Sequence, residues 1–162
     1  CTSGNVGYRH VFYMLAKYGY AEDVIKILKN PEYPGWGYMI ANGATSVWER
    51  WEYGMTNEMH SFNHPMFGSY DAFLYKFLGG IDVDETAFGA NKILIEPVFV
   101  KDVDYVKTSY KTVRGLVKSE WKRNGKEIEV HLEVPPFTVA SFISDGVKKE
   151  FSAGEYNFKI AE

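Results

Sequence analysis

The run Gly43-Ala44-Thr45-Ser46-Val47-Trp48-Glu49-Arg50-Trp51-Glu52 sets one carboxylate, Glu49, between two tryptophans and beside an arginine. A second dense cluster follows: Met59-His60-Ser61-Phe62-Asn63-His64-Pro65-Met66-Phe67-Gly68-Ser69. Tryptophan, glutamate, asparagine and histidine at this density suit a sugar. Indole faces stack on the C–H face of a pyranose, while carboxylate, amide and imidazole hold hydroxyls or move a proton. Trp36, Trp48 and Trp51 could each line such a subsite, and one or two of them are expected to meet it. His10, His60 and His131 show no metal-ligand spacing, so no metal is expected at this site.

Different elements must carry the two halves of the chain. Tyr8, Val11, Phe12, Leu15 and Ala16 fall on one face of a helix that Gly19 ends. Ala21, Val24, Ile25 and Leu28 stripe a second helix, closed by Asn30-Pro31. Residues 31–62 read as a long irregular stretch, the kind of ordered loop that carries function. A last helix is predicted from about Gly68 to Phe77, with Gly79-Gly80 after it. Residues 81–91 read as a linker with acids Asp82, Asp84 and Glu85, for which a solvated loop is expected over a calcium site. Beyond it the apolar period changes from helical to alternating. Val117, Ser119 and Trp121 are predicted inward on one strand and Ile128, Val130, Leu132 and Val134 on the next. Asn124-Gly125 is read as a type I′ turn between them. Further strands are expected at 93–100, 138–143 and 156–160. The fold class is α+β, with helices and an active-site loop over 1–80 and an antiparallel β-sandwich over 92–162.

The bulk properties exclude several classes. Of 27 aromatic residues, 17 lie within residues 1–80, alongside both clusters. The net charge of −3 comes from 6 basic and 7 acidic residues in 1–80 and 12 and 14 in 81–162. Neither half is a basic patch, so nucleic acid is not an expected partner. No apolar run approaches the roughly 20 residues that span a bilayer. Cys1 alone leaves no internal disulfide framework. The opening residues read as the lead-in to a helix within a longer protein, so the chain is expected to be a fragment.

Pro34-Gly35-Trp36-Gly37-Tyr38-Met39, the run from Gly43 to Trp51, and Ser61-Phe62-Asn63-His64 with Phe67-Gly68-Ser69 together resemble the end of the catalytic domain of α-L-rhamnosidases of glycoside hydrolase family 78. The Leu116–Pro135 hairpin with Trp121 is similar to the β-sandwich that follows that domain. The resemblance implies the last helices of an (α/α)6 barrel, terminal α-L-rhamnose as glycone, and inverting hydrolysis without a cofactor. It makes Glu49 the general base and His64 a ligand of a ring hydroxyl. The indoles beside Glu49 are expected to raise its pKa.

Inversion needs a second carboxyl roughly 6.5–9.5 Å from the first, with water between them. The family's acid stands in an earlier part of the barrel, outside this chain. Glu52 is too near Glu49 in sequence to serve across a sugar, and no motif supports Glu58. The chain alone is therefore expected to be inactive. Its implied partners are a rhamnose-containing carbohydrate and the remainder of the barrel, with a homodimer through exposed helices as another way to cover their apolar faces. The alternative is a non-catalytic carbohydrate-binding or structural module. Outward Lys, Glu and His on the best-defined hairpin argue against the sandwich as a binding face.

Overall fold

Tyr8, Phe12 and Ala16 recur every four residues. In the computed structural model, which describes residues 4–52 and 60–161, they form the buried stripe of helix α1, Gly4–Lys17. Gly19 ends the helix as predicted. It takes φ of +86°, its N–H reaches Ala16 O, and Tyr20 N–H reaches Leu15 O at 2.7 Å. This pair of bonds satisfies carbonyls that the last helical turn leaves without partners. Helix α2, Ala21–Lys29, buries Ala21, Val24 and Ile25, with acids in its first turn and lysines in its last, as the helix dipole favours.

The stretch read as irregular contains a short helix, α3, Trp36–Ala41. Gly43, with φ of +82°, closes it by the same device that closes α1. Gly37 lies so close to the Asn30 carbonyl that a Cβ would collide with it, which presses α3 against the end of α2. The helix expected from Gly68 is broken into pieces. A 3-10 turn, Pro65–Phe67, precedes it, Tyr70–Phe73 is helix α4, and Leu74–Leu78 is π-helical, with Gly79 N–H bonded to Leu74 O.

The chain divides into two units, Cys1–Phe73 and Leu74–Glu162. An aromatic cluster centres the first. The Trp36 ring lies 4.8 Å from Tyr8 and 5.2 Å from Phe12, and Phe12 reaches Phe73 on α4. Tyr13 and Met14 on α1, Tyr18 just after it and Ile40 on α3 remain exposed.

The second unit is built of two four-stranded sheets. One joins β1 (Ile81–Val83), β2 (Lys92–Ile95), β6 (Val139–Ser144) and β7 (Val147–Phe151). The other joins β3 (Tyr105–Thr112), β4 (Gly115–Asn124), β5 (Glu127–Val134) and β8 (Gly154–Ala161). All neighbours are antiparallel except β2 and β6, which run parallel. The β4 and β5 residues predicted inward are all buried, in one core with Ile93 and Ile95 of β2 and Ala140 and Phe142 of β6.

Two readings change here. The hairpin turn is one residue later than Asn124-Gly125. Asn124 pairs with Glu127, which leaves Gly125 and Lys126 as the loop. Only Gly125 has positive φ, as a type II′ turn requires and a type I′ turn does not. The window 81–91 is not loop throughout, because β1 lies inside it and pairs with β2. Gly79 and Gly80 end a helix and also admit close packing. A Cβ on Gly79 would strike the Thr108 side chain, and one on Gly80 would strike the backbone at Pro97.

Candidate functional site

Two short backbone segments, 46–49 and 61–64, form a clasp. Glu49 N–H donates to Ser61 O at 2.9 Å, and His64 N–H donates to Val47 O at 2.8 Å. One residue, Trp48, lies between the two bonds on one side, and two, Phe62 and Asn63, lie between them on the other. This is the two-against-one count of a β-bulge, an arrangement that re-aims side chains. The Phe62 carbonyl takes no part in these two backbone bonds, and the Ser46 hydroxyl donates to it. The Ser61 Oγ donates to Asn63 O and accepts the Asn63 N–H, which closes the turn.

The two tryptophans around Glu49 anchor the clasp. Trp48 is 3% exposed and meets the Phe62 ring edge-on at 5.3 Å. Trp51 is half-buried and stacks on Phe67 at 3.9 Å, with Trp36 and Tyr8 at its edges. Trp36 is 6% exposed, and its indole N–H donates to Phe67 O at 2.8 Å. Further polypeptide can only bury these groups more, so Trp36 and Trp48 offer no ring face to a ligand in this conformation. Trp51 is the most accessible of the three.

Glu49 is half-buried. Its Oε2 accepts the Ser61 N–H at 2.8 Å, and its Oε1 accepts no hydrogen bond from a described residue. The Ser61 N–H is the main cause of a carboxyl pKa below the ordinary value. Partial burial works against it, and the charges of His64, Arg50 and His60 add to it. The expected upward shift is thus reversed. The indoles pack against other rings, while the carboxylate meets an N–H and positive charge. Arg50 is exposed beside it.

His64 caps the 3-10 turn that Pro65 begins, its Nδ1 accepting the Met66 N–H at 3.1 Å. Nδ1 as acceptor leaves the ring proton of the neutral form on Nε2. Glu52 accepts the Tyr33 hydroxyl at 3.2 Å, and burial followed by the Glu52 charge raises the Tyr33 pKa. Glu58 lies outside the described residues. Asp82 pairs with Lys76, and Asp84 Oδ1 accepts both the N–H and the hydroxyl of Thr86. His131 Nδ1 lies 3.0 Å from Asn157 Oδ1 on the outer face of the β5–β8 pair. Among the described residues no cluster of His, Cys, Asp or Glu could hold a metal ion, and no helix is long and apolar enough to cross a membrane.

The residues that sequence reasoning missed are Ser46 and the Ser61 amide. No spacing marks the Ser46 hydroxyl as a tie to Phe62, and a backbone N–H has no signature in sequence.

Comparison with known proteins places these features in a family. Residues 1–78 match the bacterial alpha-L-rhamnosidase 6 hairpin glycosidase domain, and residues 80–155 match the bacterial alpha-L-rhamnosidase C-terminal domain. An alpha-L-rhamnosidase of Formosa agariphila is 30% identical over 92% of this chain, which spans 16% of that protein. The alpha-L-rhamnosidase structure from Dictyoglumus thermophilum superposes with a TM-score of 0.87 at 32% identity, covering 98% of this chain and 21% of that one. The Streptomyces avermitilis enzyme, determined in complex with L-rhamnose, shares the fold with a TM-score of 0.86 at 24% identity, covering 97% and 18%. The chain thus spans about a fifth or less of the length of these relatives. With both segments matched in sequence order, the chain belongs to the α-L-rhamnosidase family and carries part of the six-hairpin glycosidase domain followed by the C-terminal domain.

Proposed function

We propose that this chain supplies the general base and part of the glycone subsite of an inverting α-L-rhamnosidase, and that the general acid lies in polypeptide outside it. The observation that carries the reading is the state of Glu49. One oxygen is pinned by the Ser61 N–H, the other accepts nothing from a described residue, and the carboxyl is ionised at neutral pH, with its lowered pKa trading some base strength for that fixed orientation. A base needs that combination: fixed orientation, an available lone pair and no proton of its own.

In this mechanism Glu49 Oε1 takes a proton from water on one face of the sugar while the distant acid protonates the leaving oxygen on the other. His64 Nε2–H donates to a glycone hydroxyl, Trp51 gives its accessible edge, and Trp36 and Trp48 hold the clasp from behind. Alone, the chain hydrolyses nothing. It lacks the acid, whose help is worth on the order of 10²–10⁴-fold, and the walls that orient the sugar.

The test is Glu49→Gln in the full-length parent enzyme with an aryl α-L-rhamnoside. Turnover should fall by a factor on the order of 10²–10⁴ or more with the fold intact. Wild-type turnover in that variant sinks the assignment. NMR of the first anomer released should show the β form, and release of the α form would exclude inversion.

A further inference from the structure

The clasp around Glu49 is one residue out of step, and two hydroxyls take up the difference: Ser61 within the bulged turn and Ser46 from the facing segment. Two backbone bonds flank the mismatch, the Ser61 N–H reaches the Glu49 carboxylate, and the Phe62 ring meets Trp48 edge-on. The Ser46 hydroxyl adds a hydrogen bond to the main chain at the bulged residue, Phe62, next to Ser61. We propose that Ser46 is a positioning residue: its bond to the Phe62 carbonyl holds the 61–64 segment where the Ser61 N–H meets Glu49 Oε2.

The chemistry supports a positioning role over a purely structural one. Ser46 is exposed, so removing its hydroxyl opens no cavity, and water can hydrate the freed carbonyl. What is lost is the tie. The Ser61 N–H then samples longer distances from Glu49, and the carboxylate loses its strongest local stabilisation. The other charged groups facing Glu49 remain: Arg50 from its own segment, and His60 and His64 from the opposite one. A change in Glu49 titration would therefore report the Ser61 bond.

The measurement needs no catalysis. The Glu49 side-chain carboxyl is titrated by carbon-13 NMR in this chain, in Ser46→Ala and in Ser46→Thr. The alanine variant should move the midpoint up toward the ordinary carboxylate range, and threonine, which keeps the hydroxyl, should restore it. In the full-length enzyme, where the kinetic arm rests on Glu49 being the base, Ser46→Ala should lower kcat roughly tenfold, the equivalent of one lost hydrogen bond, and move the acid limb of the pH profile up with little change in KM. An unmoved midpoint in Ser46→Ala, with or without a lower Tm, overturns the proposal. The two readings fail separately. A moved midpoint beside a fully active Glu49→Gln keeps the positioning role and removes the base. An inactive Glu49→Gln beside an unmoved midpoint removes only the positioning role.

Discussion

The bond from Ser61 N–H to Glu49 Oε2 has a thermodynamic counterpart. A carboxyl whose pKa is lower folded than unfolded stabilises the fold fully above its unfolded pKa, and that stability is lost as pH falls through the folded value. For Glu49, the contribution is therefore present above the ordinary glutamate range and fades as pH falls below it. Glu49→Gln should melt below the wild-type chain at pH 7, and the gap should close as pH is lowered through and below the ordinary glutamate range. A gap that widens on acidification would contradict the direction of the shift. His64 has two jobs that substitution can separate. His64→Ala loses both the cap on the 3-10 turn and the Nε2 donor. His64→Asn keeps an acceptor for the Met66 N–H, because asparagine is a good N-cap. Calorimetry in the full-length enzyme should find both variants weaker for L-rhamnose by about 0.5–1.5 kcal/mol, with only alanine losing a comparable amount of stability. Equal affinity in wild type and His64→Asn would assign His64 to the turn alone. The sequence displayed the two clusters, but the charge state of Glu49 was not legible in it. The neighbouring indoles argued for a raised pKa, while the deciding donor is a main-chain N–H twelve residues along.

Among the elements, the legible ones announce themselves locally. Helices α1 and α2 have full apolar stripes and clear stops, and β4 and β5 alternate without a break. Helix α3 was hidden because Trp36-Gly37-Tyr38 has poor helix propensity. Trp36 makes it a helix by tertiary means, with its ring in the aromatic cluster and its N–H on Phe67 O. Strand β7 was hidden because its sequence, VKKEF, is almost wholly exposed on a sheet edge, where alternation has no core to report. The parallel pairing of β2 and β6 is a long-range fact, set by register across more than forty residues. The α3 account gives a test. Trp36→Phe removes the indole donor and leaves the Phe67 carbonyl short of a partner in a buried site. Urea unfolding should show a loss of about 2–4 kcal/mol. A loss under about 1 kcal/mol would mean that Trp36 is not what holds the loop.

At the scale of the whole chain, the change from helix to sheet was legible, but the sandwich reaches further back than a linker over 81–91 implies. Trp121, at the centre of its core, donates its indole N–H to Leu78 O at 2.8 Å. Val98 N–H bonds Phe77 O, Glu96 N–H bonds Gly80 O, and β1 adds a strand at 81–83. A piece beginning at Leu74 should therefore fold cooperatively by circular dichroism, while one beginning at Lys92 should be less stable by several kcal/mol, having lost a strand and the acceptor of a buried N–H. Equal melting of the two would show that residues 74–91 contribute nothing to the sandwich. The Leu78–Trp121 bond also bears on recombination. The peptide that ends the glycosidase segment, Leu78 to Gly80, is cut to fit one particular sandwich, with no room for a Cβ at Gly79 or Gly80. A chimera that grafts a relative's C-terminal domain at a convenient loop would pair a foreign tryptophan with a carbonyl it did not evolve beside. Grafts that carry residues 74–80 with the sandwich keep the Leu78 carbonyl with its own indole, so the place to cut lies before Leu74.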